Sequence, residues 1–324
     1  VNVLVTGGAG YIGAHVVSAL VSHGDHVVIV DDLVTGTAAR VGDVPIVQLD
    51  LAHDTSVDLL AATLSEHNVD TVVHFAARKQ VNESVQKPAW YYRENVGGLA
   101  NLLLAMERVN VTRLIFSSSA AVYAAADHPL TELDLTEPLN PYGETKLVGE
   151  KLVSDSARAW GLQAVSLRYF NVAGAGSPEL GDTAALNLVP MVFEKLDAGK
   201  SPLIFGGDYP TPDGTCVRDY VHVQDVAEAH LAALTGLDSL GSGHHLFNVG
   251  TGQGASVREI VDAILDVSGS TATAEVAPRR AGDHSTVVAA VDQIKTRLGW
   301  SARFSLDDII RSAWEAHEHL HSAP

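Results

Sequence analysis

Tyr142 and Lys146 stand four residues apart in the run Asn140-Pro141-Tyr142-Gly143-Glu144-Thr145-Lys146. On a helix, positions i and i+4 share one face, so a phenol and an ammonium would lie together. A cation roughly 5 Å from a phenol, at an effective dielectric of about 20, favours the phenolate by about 3 kcal/mol, or some two pKa units. Such a tyrosine can exchange a hydroxyl proton with a substrate near neutral pH. The pair follows a hydroxyl-rich stretch, Ser117-Ser118-Ser119, and then Tyr123. Alone, a Tyr-x-x-x-Lys pair is ordinary on a helix surface. What gives it chemical meaning is the set of elements before it.

The first of these is Val1–Gly13. Val1, Val3, Leu4 and Val5 read as a buried strand, glycines follow at Gly7, Gly10 and Gly13, and a helix pattern begins at Tyr11 and Ile12. A strand, a glycine turn and a helix N-terminus form a phosphate cradle, because free N–H groups and the helix dipole face the anion. Gly7 permits the turn, Gly10 lets a pyrophosphate approach, and Gly13 lets the helix pack on the sheet. The next strand, His26–Asp31, ends in Asp31 with Asp32 beside it. An acid at this distance from the loop accepts hydrogen bonds from a ribose diol and repels a 2′-phosphate, which predicts NAD rather than NADP. A positively charged nicotinamide would further favour the Tyr142 phenolate.

Strands are predicted near 1–6, 26–31, 44–49, 70–75, 112–117 and 163–168, with helices over 11–23, 56–67, 88–109 and 142–160. This alternation predicts an α/β fold, a doubly wound parallel sheet of Rossmann type. Ligands bind such sheets beyond the carboxyl ends of the strands. That rule marks Gly7–Gly13, Asp31-Asp32, Asp50-Leu51, Phe75–Lys79 (Phe75, Ala76, Ala77, Lys79) and Ser117–Tyr123. After about residue 171, glycines and prolines become frequent, and amphipathic helices are predicted near 256–268 and 305–319. We therefore divide the chain into a dinucleotide-binding domain, 1–171, and a smaller α/β substrate-binding lobe, 172–324, with a return excursion to the first near 218–236.

The chain has 324 residues, 46% of them hydrophobic, and no apolar run long enough for a membrane span. Its formal net charge of −18 disfavours nonspecific binding to nucleic acid or anionic membranes. An anionic substrate would need locally placed arginines. Cys216 is the only cysteine, which excludes an intramolecular disulfide and argues against a cysteine zinc site. A strand beginning at Val1 leaves no room for a leader, so a cytoplasmic address is expected. His317, His319 and His321 alternate along a predicted helix, so successive rings point to different sides and no metal site is expected.

On these motifs the chain resembles the extended short-chain dehydrogenase/reductase family, and within it the UDP-glucose 4-epimerases. The resemblance covers nearly the whole chain. The glycine loop and the Tyr142/Lys146 pair point only to the superfamily. The narrower likeness lies in Glu83–Pro88, Arg168–Asn171, Val217–His222 and Ala277–Asp283. It implies that Tyr142 is the acid/base at the sugar 4-OH, that Ser119 hydrogen-bonds the same oxygen, and that Lys146 holds the nicotinamide ribose. It places Lys79, Asn95 and Phe170 at the cofactor and Asp50 and Leu51 around adenine. It assigns nucleotide-sugar contacts to Asn171, Asn187, Arg218, Tyr220, Arg280 and Asp283. Guanidinium groups at Arg218 and Arg280 suit a diphosphate, which they can bind bidentately.

The implied reaction inverts C4 of a UDP-hexose by transient oxidation to the 4-keto sugar, with NAD tightly held and regenerated. Ala121 stands where the family often has threonine, and Ala77 and Ala124 replace common glycines. One alternative of the same fold is a nucleotide-sugar 4,6-dehydratase, but Ala120-Ala121 occupies the place of its Asp-Glu pair. The other alternative, a non-catalytic NAD-binding regulatory module, would be expected to lose Tyr142, Lys146 and Ser119. Leu99, Leu102, Leu103, Met106, Leu147, Leu152 and Val153 exceed one apolar stripe on helices 88–109 and 142–160. We read them as the contact of a homodimer, as the resemblance also implies. Val287 matches a position lining the hexose pocket near the 2-substituent, where a small residue leaves space for an acetamido group. UDP-N-acetylhexosamines are therefore expected as further substrates. The competing reading is that Val287 belongs to a strand-like run, Val287–Val291, facing the core.

Overall fold

The computed structural model describes residues 1–280 and 283–322. The apolar run at the start of the chain forms β1 (Asn2–Thr6), whose Val3, Leu4 and Val5 are fully buried. It is flanked in parallel by β2 (His26–Asp31) and β4 (Thr71–His74). With β3 (Ile46–Gln48), β5 (Arg113–Ser119), β6 (Gln163–Tyr169) and the late strand β10 (His244–Val249), they make a seven-stranded parallel sheet, ordered β10-β6-β5-β4-β1-β2-β3. Apolar residues on both faces of each strand demand cover on both sides. One face carries α1 (Tyr11–His23) and α8 (Val223–Leu240), through Val16, Val17, Leu20, Val226, Ala233 and Leu237. The other carries α2 (Ser56–Glu66), α5 (Gly98–Arg108) and α6 (Pro141–Trp160), through Leu60, Leu64, Leu99, Leu102, Met106 and Val153.

The predicted helix 88–109 is more finely divided. After α3 (Val81–Gln86), the chain forms α4 (Pro88–Tyr91), a π-helical segment (Tyr92–Gly97) and then α5. The wider turn buries Glu94 and Asn95. Such π segments recur at functional sites.

The second lobe is built around β9 (Val217–His222). It pairs with β7 (Asn171–Ala173), antiparallel with β11 (Gly254–Ser256), and with β13 (Thr286–Val287). A separate pair, β8 (Leu203–Phe205) with β12 (Glu275–Ala277), lies beside it. Helices α7 (Leu188–Asp197), α9 (Val257–Ser268) and α11 (Leu306–Ser322) close a third core of Val189, Phe193, Ile260, Ile264, Ile309 and Ile310. The remaining helix, α10 (Asp292–Leu298), contributes Ile294 to the first core.

The stretch 218–236, expected to return to the large sheet, holds most of β9 and most of α8. β9 pairs within the second lobe, where the fully buried Asp219 carboxylate accepts N–H donors from Thr251, Gly252 and Ala289, while its Val221 joins the first core. The chain crosses back with α8 and β10, and again with Ile294 of α10 and Trp300. Among the described residues, no helix is long and apolar enough to cross a membrane.

The apolar side chains read as a dimer contact are already covered within one chain. Leu99, Leu102, Leu103, Met106, Leu147 and Val153 are buried, and Leu152 packs against the same core. They face the sheet and the neighbouring helices. What α5 leaves in solvent is Leu104, and the preceding π segment leaves Tyr92.

Candidate active site

Three post-strand segments meet over the end of β1. Gly7 adopts a left-handed φ of 71°, and a Cβ there would lie 2.7 Å from the Ala76 nitrogen. A Cβ at Gly13 would lie 2.2 Å from the Gly7 carbonyl oxygen. These two glycines are therefore demanded by the protein's own packing. Gly10 is not: its Cβ would meet only the Gly7 oxygen, at 3.4 Å. Helix α1 begins just beyond, with Gly10 as N-cap, no side chain capping it and no acid in its first turn. Open space over an uncapped helix N-terminus fits a pyrophosphate, so the residues present fit the dinucleotide that the sequence implies.

Asp31 is buried at the end of β2, its Oδ2 accepting from Ala9 N (3.0 Å) and its Oδ1 from Leu33 N (2.9 Å). Burial pushes its carboxyl above the usual range while these donors pull it back. It braces the glycine loop and retains acceptor capacity for a ribose. Asp32 is tied to the Arg78 guanidinium at 2.6 Å, and Arg78 also meets Glu94 at 3.0 Å. Because β4 and β2 flank β1 in the sheet, this ion pair links the segments that follow them on either side of β1. Asn95 clips the same segment: its Oδ1 accepts from Arg78 N (2.7 Å), and its amide nitrogen donates to Arg78 O (3.0 Å) and Thr145 Oγ1 (2.9 Å).

The rest of the proposed cofactor set lines these edges. The Tyr11 hydroxyl donates to the Gly174 carbonyl, joining α1 to the chain beyond β7, and Ile12 packs into the first core. Phe75 and Ala76 donate backbone N–H to the Thr6 carbonyl, which places them beside the glycine loop with Ala77 half-buried next in line. Leu51 is buried in the second core, and the Asp50 Oδ1 accepts from Ala52 N at 2.9 Å. Phe170 is buried with Val122 and Tyr123. Lys79 is exposed.

Tyr142 and Lys146 lie in the first turns of α6, which starts at Pro141 with Asn140 capping Gly143 N. Ser119 ends β5, its Oγ accepting from Ala121 N at 3.1 Å. The predicted depression of the Tyr142 phenol by Lys146 is not present in the protein alone. The Lys146 ammonium is buried and donates to the Ser117 carbonyl at 2.8 Å. Burial lowers it to about 8, against the opposing pull of Glu150. Burial raises the Tyr142 phenol, and the Ser119 hydroxyl beside it acts the other way. A phenol in this setting stays protonated until a further positive charge arrives.

Below the pair lies a buried polar network that the sequence reading did not single out. Glu150 accepts Arg168 Nε at 2.8 Å and Nη2 at 2.6 Å, and Ser118 Oγ at 2.5 Å. Arg168 also reaches the Glu132 carbonyl and lies over the Tyr123 ring. The Tyr169 hydroxyl meets Ser117 Oγ. This network fixes α6 to β5 and β6 at the residues next to Ser119. Its signal was available: Glu150 continues the helix face of Tyr142 and Lys146, and Arg168 interrupts an apolar strand.

The proposed nucleotide-sugar residues gather around β9 unevenly. Strand register sets Asn171 beside Tyr220 and Val287 beside Arg218. Arg218 and Tyr220 share one face of β9, Tyr220 being buried against the third core. Arg218 approaches Asp283 at 3.9 Å. Arg280 is exposed and stacks on the Phe205 ring at 3.8 Å. Asn187 stands exposed at the N-cap position of α7, where its side chain bonds no helix N–H and instead donates to Asp182 at 3.3 Å. Ala281 and Gly282 of the Ala277–Asp283 segment lie outside the described residues. The strand-like run at Val287 is only β13, and Val287 is half-buried against the cluster of Val122, Tyr123 and Phe170. It thus packs on the segment that follows Ser119.

The model of the NAD dependent epimerase/dehydratase family matches residues 3–250. The UDP-glucose 4-epimerase of Azospirillum brasilense is 46% identical over 97% of this chain and 92% of its own. A UDP-glucose 4-epimerase from Stenotrophomonas maltophila, solved with NAD and formylated UDP-arabinopyranose, superposes with a TM-score of 0.92 at 40% identity, covering 99% of both chains. The UDP-Glc/GlcNAc 4-epimerase of Campylobacter jejuni gives a TM-score of 0.85 at 35% identity, covering 98% of this chain and 99% of its own. This chain belongs to the NAD dependent epimerase/dehydratase family and, within it, to the UDP-glucose 4-epimerases.

Proposed function

From that membership, we propose that this enzyme inverts C4 of a UDP-hexose, interconverting UDP-galactose and UDP-glucose, with NAD held throughout. The observation that carries the residue assignment is the Ser119 hydroxyl beside the Tyr142 phenol, with Lys146 one turn further along α6 and bound to the Ser117 carbonyl. The support for NAD is the open cradle at Gly10, the acid Asp31, and the NAD-bound relative. Bound NAD supplies the acceptor, and then the donor, of the C4 hydride.

The protein's own part is the proton. Tyr142 Oη takes it from the sugar 4-OH and later returns it, while Ser119 Oγ hydrogen-bonds the same oxygen. Lys146 Nζ, held by the Ser117 carbonyl, positions the ribose edge. Burial raises the Tyr142 phenol, so positive charge such as an oxidised nicotinamide would supply there would favour release of its proton. Arg218 and Arg280 hold the diphosphate while the 4-keto sugar turns its other face to the cofactor. A 4,6-dehydratase reading lacks its base, since Ala120 and Ala121 form the short turn after Ser119.

Acetamido sugars belong to the same proposal, because Val287 presents a small side chain beside Arg218. A homodimer through the outer faces of α5 and α6 is also proposed, now resting on exposed Tyr92 and Leu104 and checked by sedimentation. We place the protein in the cytoplasm, which suits its buried free thiol, Cys216. The test of the central assignment is Tyr142→Phe. Turnover should fall at least ~10²-fold with NAD still bound, as loss of a general base does. Near wild-type epimerisation would refute the role.

A further inference from the structure

The alternation of His317, His319 and His321 hides a different pairing. His317 and His321 are one helical turn apart on α11 and share a face. Their rings lie 4.2 Å apart, centroid to centroid. Facing them is Asp197, the last residue of α7. His317 Nε2 lies 3.0 Å from Asp197 Oδ2, and His321 Nε2 lies 3.9 Å from the same oxygen. One donor atom from each of the three residues falls within 4.8 Å of the others. We propose that Asp197, His317 and His321 form a site for a transition-metal dication of the zinc class, which fastens α7 to α11.

Four observations carry this. Donor atoms at about 2.0–2.2 Å from a tetrahedral zinc stand roughly 3.3 Å from one another, so His317 and Asp197 need only part slightly from 3.0 Å and His321 draw in from 3.9 Å. His321 Nδ1 already meets the His317 carbonyl at 2.9 Å. A ring whose Nδ1–H donates to a backbone carbonyl turns its Nε2 lone pair outward, the tautomer that metal ligation uses. His317 is held in place by Phe193 at 4.7 Å and Trp314 at 5.4 Å, so one ligand is preset. His321 and Asp197 stay open to solvent, which gives an ion access and leaves a coordination position for water. Two imidazoles with one carboxylate select zinc or its neighbours over magnesium or calcium. His319 points elsewhere, toward Glu179 at 3.9 Å. None of the three ligands belongs to the proposed active site, so the metal would brace the second lobe and leave the proton chemistry to Tyr142.

The experiment titrates the tag-free, NAD-loaded full chain with zinc chloride by calorimetry, with cobalt(II) absorption reporting the ligand geometry. One zinc per chain is expected, with a rise in thermal midpoint and tetrahedral cobalt bands. His321→Ala and Asp197→Asn should each weaken zinc at least ~10-fold, because losing a ligand costs no less than losing a ligand's supporting contact. His319→Ala should bind as wild type does. Absence of a one-per-chain site, or equal binding by all three variants, overturns the proposal. Both ligand variants alter exposed side chains, so loss of folding does not intervene.

Discussion

The large sheet and the small one around β9 hold their functional side chains in opposite ways. Around the large sheet, Asp31, Asn95, Ser119 and Lys146 each have a hydrogen-bond partner within the protein. Beneath them, Glu150 and Arg168 form a buried bidentate pair. Around β9, Asn187, Arg280 and Asp283 are exposed, and Arg218 is held by its neighbour's carbonyl, Val217 O at 2.9 Å, with Asp283 3.9 Å away. The difference follows the chemistry assigned to each half. Aiming a proton and a hydride needs preorganised groups. Holding a diphosphate while the attached sugar turns over needs charge on adaptable supports.

Acid should break this contrast most severely. His15, His230 and His244 are held to about 4, and His74 to about 3, all by burial in the layers of the large sheet. His222, where β9 meets α8, is likewise lowered to about 4. Their pKa values unfolded are near 6.5. The unfolded chain therefore binds more protons between 6.5 and 4, and stability falls as pH drops through that window. Each histidine contributes a slope of up to about 1.4 kcal/mol per pH unit. Denaturant titrations at stepped pH measure it, and constant stability from pH 6.5 to 4.5 would contradict the burial reading.

Glu150→Ala is next. It strands the Arg168 guanidinium, so unfolding free energy should drop by about 3–5 kcal/mol. A loss under about 1 kcal/mol would mean that the network beneath α6 is not the brace described here.

On the β9 side, effects should appear in substrate choice and not in folding. Val287→Tyr should reduce kcat/KM for UDP-N-acetylglucosamine by roughly 10- to 200-fold relative to UDP-glucose. Equal effects on both sugars, or no acetamido turnover by the wild type, would remove Val287 from the pocket. Arg280→Ala should be the mildest, raising KM by about tenfold at nearly constant kcat, the lower range for a charge-assisted hydrogen bond. A fall in kcat alone would place Arg280 in the chemistry instead.

The same contrast governed what could be read in the sequence. The first six strands of the large sheet lie within two residues of their predicted bounds, because buried parallel strands are mostly apolar runs. The glycine loop was legible because backbone geometry dictates residue type there. β10 was not legible, since His244 and His245 open it and its burial depends on β6. The Lys146–Tyr142 electrostatics were misjudged because spacing along a helix cannot show that Lys146 turns to the Ser117 carbonyl. Nor could spacing reveal Arg78, which follows β4 yet pairs with an acid after β2 and another in the π segment. The short strands around β9 carry little periodicity, so their register became visible only in three dimensions.

The central claim is that the protein oxidises and re-reduces its sugar on a cofactor it never releases. The most direct measurement incubates the purified, desalted protein with UDP-galactose and no added NAD, and follows UDP-glucose together with protein-bound dinucleotide. The account predicts continued conversion over many turnovers with the dinucleotide still bound. Conversion only in the presence of added NAD, with stoichiometric release of a reduced cofactor, would contradict it.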